Sequence, residues 1–294
     1  MEVRGGWVVD LDISSFFDSL SHSDLRGFLD QRVRDGVLRR MIDKWLKAGV
    51  MEAGQVVRSD TGTPQGGVIS PLLANIYLHE VLDTWFVREV QPRLRGASHL
   101  VRYADDLLII CAVEEDARRI MEVLPKRLGR FGLTMHPDKT RLVRFVRPAG
   151  PPGENDDDGP GPGTFNFLGF THFWGRSRKG VWVVMRKTAK DRFNRAIKKI
   201  AQWCRLHRHD PIPEQHKSLA RKLRGHDAYY GITGNIRALR RLRLAVRQVW
   251  RKWLARRGGR TQMSWERFSR LLSRSPFPVA RIVHSSLKPR AANP

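Results

Sequence analysis

Apolar positions fall into short alternating runs in the first half of the chain and into a helical rhythm in the second. Trp7-Val8-Val9-Asp10-Leu11-Asp12-Ile13 alternates strictly. That period predicts a strand with Trp7, Val9, Leu11 and Ile13 on one face and Val8, Asp10 and Asp12 on the other. Helices are expected over about 23–31, where Ser21 or Ser23 can cap, and over about 37–48, where Leu38, Met41, Ile42, Trp45 and Leu46 keep helical spacing. A third helix is expected over 71–86. Leu100 to Ile110 places two β-forming runs around Asp105-Asp106, the pattern of an antiparallel hairpin. Its tight connection falls at Ala104 to Asp106, with no glycine to relieve strain. A helix over 114–131 follows, then strands near 165–170 and 181–185.

From about residue 186 the chain turns helical and basic. One helix carries Lys190, Arg192, Arg195, Lys198 and Lys199 opposite Phe193, Ile197 and Ile200, with a loop over 205–213 after it. Asn235 is placed to cap a long helix over 236–257, whose apolar stripe is Ile236, Leu239, Leu242, Val246, Val249 and Trp253. Its remaining surface is expected to carry Arg237, Arg240, Arg241, Arg243, Arg247, Arg251 and Lys252. Trp265, Phe268 and Leu271-Leu272 suggest one more short helix. Residues 148–163, rich in proline, glycine and aspartate, have nothing apolar to bury and are expected to be a disordered surface insertion.

Charge sharpens this division. The 294 residues carry a formal net charge of +25. Residues 1–175 hold 22 Lys and Arg against 24 Asp and Glu, whereas residues 176–294 hold 32 against 5. So basic a segment repels itself, and a polyanion relieves the repulsion while releasing counterions. Seven cations without an acid on one helix favour an RNA backbone, with arginine suited by its planar donors. A membrane surface is the competing partner, but there is no lipid-anchor motif and no apolar run long enough to span. Cys111 and Cys204, one in an apolar strand and one in a basic helix, read as reduced structural residues of an intracellular protein.

Two adjacent carboxylates between buried runs are costly unless positive charge sits on them. A hard divalent cation that takes few protein oxygens and leaves room for substrate phosphate fits. For the pair alone a solvated acidic turn is the alternative. Asp12 far upstream alters that balance: with its strand beside the hairpin, Asp12 and Asp105 can share metals. Thr61 to Asn75 is a further candidate, because glycines let a backbone approach a ligand and the next helix offers its N-terminus to negative charge. A tight loop capping that helix is the alternative.

Tyr103-Ala104-Asp105-Asp106 resembles the YADD box of reverse transcriptases, and Asp12-Ile13-Ser14-Ser15-Phe16-Phe17-Asp18 resembles the family's other metal-binding motif. More narrowly, the chain from about 7 to about 287 resembles the reverse transcriptase/maturase encoded by group II introns. The resemblance implies an α+β fold: a palm of mainly antiparallel sheet packed with helices, followed by an all-α thumb/maturase domain. It implies a palm over 1–147, primer-grip strands over 164–185 completing it, a thumb over 186–257 and a basic extension over 258–294. Asp12, Asp105 and Asp106 are then the catalytic acids and, with Ile13, the ligands of two Mg2+ ions. Asp10 shares their face but fits the catalytic position less well. Phe17 matches the aromatic gate against a ribose 2′-hydroxyl, Gln65 and Gly66 line the dNTP pocket behind Pro64, and Lys139 lies near the triphosphate. Phe167, Leu168 and Gly169 match the primer grip. Residues 222–235 resemble the maturase region, so Arg224, Tyr229 and Tyr230 join Arg237, Arg240, Arg241, Arg247 and Arg251 as RNA-binding candidates.

The implied activity is RNA-directed DNA synthesis with assistance to intron splicing, and the implied partners are intron RNA, an RNA template, a DNA primer and dNTPs. A bacterial cytoplasmic, nucleoid-associated setting suits these partners, with an organelle as the alternative. No Cys/His cluster has the spacing of the zinc endonuclease tail that some relatives carry. Relatives place a fingers region ahead of the first metal-binding strand, and six residues precede Trp7 here. The chain is therefore expected to be a truncated descendant without fingers, or to have its gene start upstream, or to be completed by a separate chain. The alternative function is a polymerase-defective, RNA-binding splicing factor.

Overall fold

The computed structural model describes residues 6–47, 50–52, 55–57, 62, 69–148, 163–257 and 263–285. Its chain divides at Phe165/Asn166 into two units. The first contains β1 (Gly6–Leu11), β2 (Ile13–Ser14), α1 (Phe16–Ser19), α2 (His22–Asp30), α3 (Gly36–Lys47), β3 (Val50–Glu52), β4 (Gln55–Val57), α4 (Ser70–Leu78), β5 (Ser98–Tyr103), β6 (Asp106–Cys111), α5 (Glu114–Gly129), β7 (Thr134–Met135) and β8 (Arg141–Phe145). β9 (Phe165–Phe167) begins at the boundary. The second unit continues with β10 (Phe170–Arg176), β11 (Trp182–Thr188), α6 (Lys190–Leu206), α7 (Ile212–Tyr230), α8 (Ile236–Leu254) and α9 (Trp265–Arg274).

Alternation in β1 works as its period requires. The strand lies inside a four-stranded antiparallel sheet ordered β5-β6-β1-β8. Register pairs Val9 with Ile109 and Leu11 with Leu107, and these four side chains enter the main core beneath α5, with Ala117, Ile120 and Leu124. The opposite face carries Val8, Leu108 and Val143, which are buried but stand outside that core. The expected single strand over 7–13 is interrupted. β1 stops at Leu11, and Ile13 pairs instead with Met135 of β7 in a separate ladder, so Asp12 sits at the break. Both ladders draw on the segment after α5, which a local alternation pattern does not register.

Helix starts follow their chemistry. Ser21 Oγ accepts the Asp24 N–H at 3.3 Å as the cap of α2, and α4 opens with Pro71, whose missing N–H costs nothing in a first turn. Beyond Leu78 the helical path continues through wide turns at His79–Thr84 and Phe86–Val90 to a tight turn at Gln91–Arg93. Burial of Val81, Leu82, Phe86 and Val90 carries it past the expected end at 86.

In the second unit, β10 and β11 form a seven-residue antiparallel hairpin from Phe170↔Thr188 to Arg176↔Trp182. Of residues 164–185, expected as primer-grip strands completing the palm, residues 166–185 group with the helices that follow. Helices α6 to α9 enclose a second core of Ile200, Cys204, Leu219, Leu242, Trp250 and Phe268. The buried stripe of α8 is Leu239, Leu242, Arg243, Val246, Trp250 and Leu254, which corrects the expected placement of Arg243 on the surface. Observed architecture is α+β: an antiparallel sheet packed with helices, then a helical region. Among the described residues no helix is long and apolar enough to cross a membrane. Both cysteines are free and buried, and burial pushes each thiol up to about 12. Most of the Pro/Gly/Asp stretch, residues 149–162, lies outside the described residues, as do the ends of the basic extension.

Candidate active site

The Leu11↔Leu107 register places Asp12 and Asp106 across from each other, one step past the end of the β1–β6 ladder. Tyr103↔Asp106 closes the β5–β6 hairpin, leaving Ala104-Asp105 as a two-residue loop. Hairpin loops of that length need positive φ at the first position to match strand twist, and Ala104 supplies it at φ 54° despite its Cβ. A left-handed alanine costs about 1–2 kcal/mol, so the acidic loop is strained where glycine would have relieved it. Asp105 is exposed at the tip and Asp106 at the strand start.

Asp10 lies on the same face as Asp12. Burial raises its carboxyl above the ordinary range; the hydrogen bond and charge of Arg141 oppose that rise, and the charges of Asp12 and Asp106 add to it. The charges of Asp12 and Asp106 are thus felt at Asp10, and two cations relieve the acids. Arg141 Nε donates to Asp10 Oδ2 at 3.1 Å, and Lys139 Nζ donates to Asp12 Oδ2 at 2.8 Å. Both cations arrive on one segment, held by the His136 N–H donating to the Asp12 carbonyl at 2.8 Å and by the Asp10↔Arg141 pairing of β8. Sequence reasoning found Lys139 only through resemblance and missed Arg141, because β8 pairing rather than any periodic signal brings it here.

Asp10, Asp12, Asp105 and Asp106 supply the hard oxygen donors that a divalent ion takes. They fit such an ion in kind, and Lys139 stands where its charge would be felt by Asp12. Among the described residues, however, no three His, Cys, Asp or Glu side chains are grouped closely enough to hold an ion. The Ile13 side chain is in the core, which leaves only main-chain oxygen to that residue.

Phe17 is half-buried in α1, packed against the core with its ring 5.3 Å from that of Phe16. Gln65, Gly66 and Pro64 lie outside the described residues. Gly62, at the entry to that stretch, is stitched to the Phe17 segment. Its N–H donates to the Leu20 carbonyl at 2.7 Å, and a Cβ there would stand 2.9 Å from the Phe17 and Asp18 carbonyl oxygens. The Gly62 carbonyl oxygen is bonded by buried His22 Nε2. Buried His22 thus anchors Gly62, forty positions away, a role without a local sequence signal.

In the second unit, Leu168 (φ 49°) and Gly169 (φ 75°) form the β9–β10 loop with positive φ at both positions. Phe167 is half-buried beside it. Tyr229 Oη donates to the Leu168 carbonyl at 2.9 Å, and a Cβ on Gly169 would stand 2.9 Å from Tyr230 Oη. Phe170 stacks on Tyr229 at 5.8 Å. The expected primer-grip residues and the two tyrosines of the 222–235 region therefore meet. His226 stacks on Tyr230 at 4.5 Å, and burial lowers its imidazole to about 4.

Arg224, Arg237, Arg240, Arg241 and Arg247 are exposed. Arg251 is partly buried, with its guanidinium 4.0 Å from the Trp265 ring centroid and a hydrogen bond to the Met263 carbonyl. Buried Arg243 forks onto buried Asp227 at 3.1 and 2.5 Å and donates to the Pro278, Val279 and Leu239 carbonyls. Asn235 stands at the start of α8, but its side chain bonds Thr188 and the Tyr230 carbonyl instead of the helix end.

The family profile described as reverse transcriptase (RNA-dependent DNA polymerase) matches residues 3–172. Group II intron-encoded protein LtrA of Lactococcus lactis subsp. cremoris is 34% identical over 151 residues, covering 48% of this chain and 25% of LtrA. Protein YkfC of Escherichia coli (strain K12) is 32% identical over 217 residues, covering 63% of this chain and 51% of that protein. An uncharacterized 91 kDa protein in the cob intron of Schizosaccharomyces pombe is 39% identical over 190 residues, covering 47% and 23%. The chain spans about a quarter of LtrA and about half of YkfC.

Proposed function

The chain belongs to the reverse transcriptase (RNA-dependent DNA polymerase) family, and from that premise we propose that it is the polymerase and maturase of a group II intron, joining dNTPs to a primer 3′-hydroxyl on an RNA template. The observation that carries the reading is the meeting of Asp12 and Asp106 across β1 and β6, with Asp105 on the strained loop between β5 and β6. Asp12, Asp105 and Asp106 would hold two magnesium ions, which when bound activate the attacking hydroxyl and stabilise the leaving pyrophosphate. Lys139 moves its charge or a proton toward the pyrophosphate. Phe17 excludes a 2′-hydroxyl, and Gln65 and Gly66 line the nucleotide side. Residues 1–147 act as palm, Phe167 to Gly169 steady the primer, and 186–257 form the thumb, whose exposed Arg224, Arg237, Arg240, Arg241 and Arg247 bind intron RNA. Tyr229 and Tyr230 support the primer-grip loop and flank that RNA surface, as does Arg251.

Asp105→Ala should abolish dNTP incorporation on a primed RNA template, since the acids act on both ions together. RNA affinity should stay level or rise slightly as a negative charge is lost. Equal incorporation by wild type and variant would sink the assignment. A second reading, a splicing factor without polymerase activity, is favoured by the 32 to 5 excess of basic residues over 176–294. RNA binding and intron splicing activity beside no incorporation, with any added fingers segment, would select it.

A further inference from the structure

Arg102 has no part in the chemistry proposed above, yet it is tied to the loop that carries the acids. Its side chain is only 12% exposed. Nε and Nη2 donate as a fork to Asp83 Oδ1 and Oδ2 at 2.8 and 2.6 Å. Nη1 donates to Asn75 Oδ1 at 2.7 Å and to the Ala104 carbonyl at 3.1 Å. Asn75 is itself fixed through Nδ2 to the Pro71 carbonyl at 3.0 Å. One planar guanidinium thus joins the helical segment 71–83 to the residue in the left-handed conformation just ahead of Asp105.

We infer that Arg102 is a positioning residue for the catalytic loop, a clamp whose fork on Asp83 aims its remaining arm at the Ala104 carbonyl and holds the strained turn that presents Asp105 and Asp106. A two-residue loop with a Cβ at a positive-φ position is poorly populated unless its surroundings fix it, and an arginine fork is rigid enough to do so. His79 Nδ1, 3.3 Å from Asp83 Oδ2, shares that carboxylate.

The inference rests on the polymerase reading of the acids, and its test separates the two. In the full chain, Mn2+ alone is the probe, titrated by electron paramagnetic resonance, with Asp105→Ala defining the site. Amide hydrogen exchange over 104–107 reports the loop directly. Arg102→Gln should speed that exchange and weaken Mn2+ binding, each about tenfold, the worth of one charge-assisted hydrogen bond. It should lower kcat for incorporation while leaving KM for dNTP near its original value. Arg102→Lys, which keeps the charge but not the fork, should restore only part of each. Should Arg102→Gln not fold, Asn75→Ala removes one arm of the same clamp and should raise exchange about threefold. An Asp105-dependent Mn2+ site in wild type that these variants leave unchanged overturns the inference, as does loop exchange within twofold of wild type. Absence of that site in wild type overturns the polymerase reading, and the positioning role with it.

Discussion

Arg243→Met isolates the strongest buried electrostatic contact of the second unit. Arg243 is 9% and Asp227 5% exposed, and methionine approximates the lost stem. Substitution leaves the Asp227 carboxylate with one other hydrogen bond, from the Arg281 N–H at 3.2 Å. It also strips a donor from the Pro278 and Val279 carbonyls. Leaving one member of a buried ion pair uncompensated costs about 3–5 kcal/mol, against a total stability of about 5–15 kcal/mol for a domain. The same change in an Asp227→Asn background meets no orphaned charge. The double variant should therefore regain about 1–3 kcal/mol relative to the sum of the single losses. Urea unfolding followed by far-ultraviolet circular dichroism measures all three. Because Arg243 also fastens the 278–281 segment, and the Val283 N–H donates to the Gly231 carbonyl at 2.7 Å, limited proteolysis should cut the released segment first. A loss below about 1 kcal/mol for Arg243→Met, or strictly additive variants, would refute the account.

Changing Arg237, Arg240 and Arg247 together to Gln should reduce the salt slope of RNA binding by about 2–3, near one per phosphate contact; an unchanged slope in filter binding would place the RNA elsewhere. Gly169→Ala should cost about 1–2 kcal/mol for its left-handed φ, plus the clash with Tyr230 Oη. Gly180→Ala, at the same φ of 75° but with open space around the added Cβ, isolates the first part. Equal losses from the two in thermal unfolding would remove the clash from the argument. For His226, lowered to about 4 in the folded chain, the unfolded state binds more protons between there and the ordinary 6.5. Its contribution to stability is thus intact above pH 6.5 and declines as pH falls toward 4. Wild type should lose stability faster than His226→Gln across that window, and parallel curves would count against the reading.

Chemistry that repeats with a local period is legible in the sequence. Alternation in 7–11, the acidic hairpin, and the helices beginning near 114, 190 and 236 all follow from spacings within a few residues. What escaped were decisions made by distant partners. Asp12 sits at a strand break because Ile13 is claimed by Met135, and nothing near Ile13 announces that ladder. Arg141 reaches Asp10 because β8 joins β1 across some 130 positions. A cation inside an apolar helical stripe reads as surface charge, and only the facing Asp227 places Arg243 in the interior. Asn235 shows the limit within a correct assignment: its position at the start of α8 was legible, but its side chain serves Thr188 and Tyr230. The acids themselves fall on both sides of this division. Resemblance pointed to Asp12, Asp105 and Asp106, whereas their relief by Lys139 and Arg141 and the hold of Arg102 on their loop are properties of register. An acid cluster of this kind is built by local sequence and made tolerable by long-range pairing, so its counter-ions are where sequence reasoning stops and structure begins.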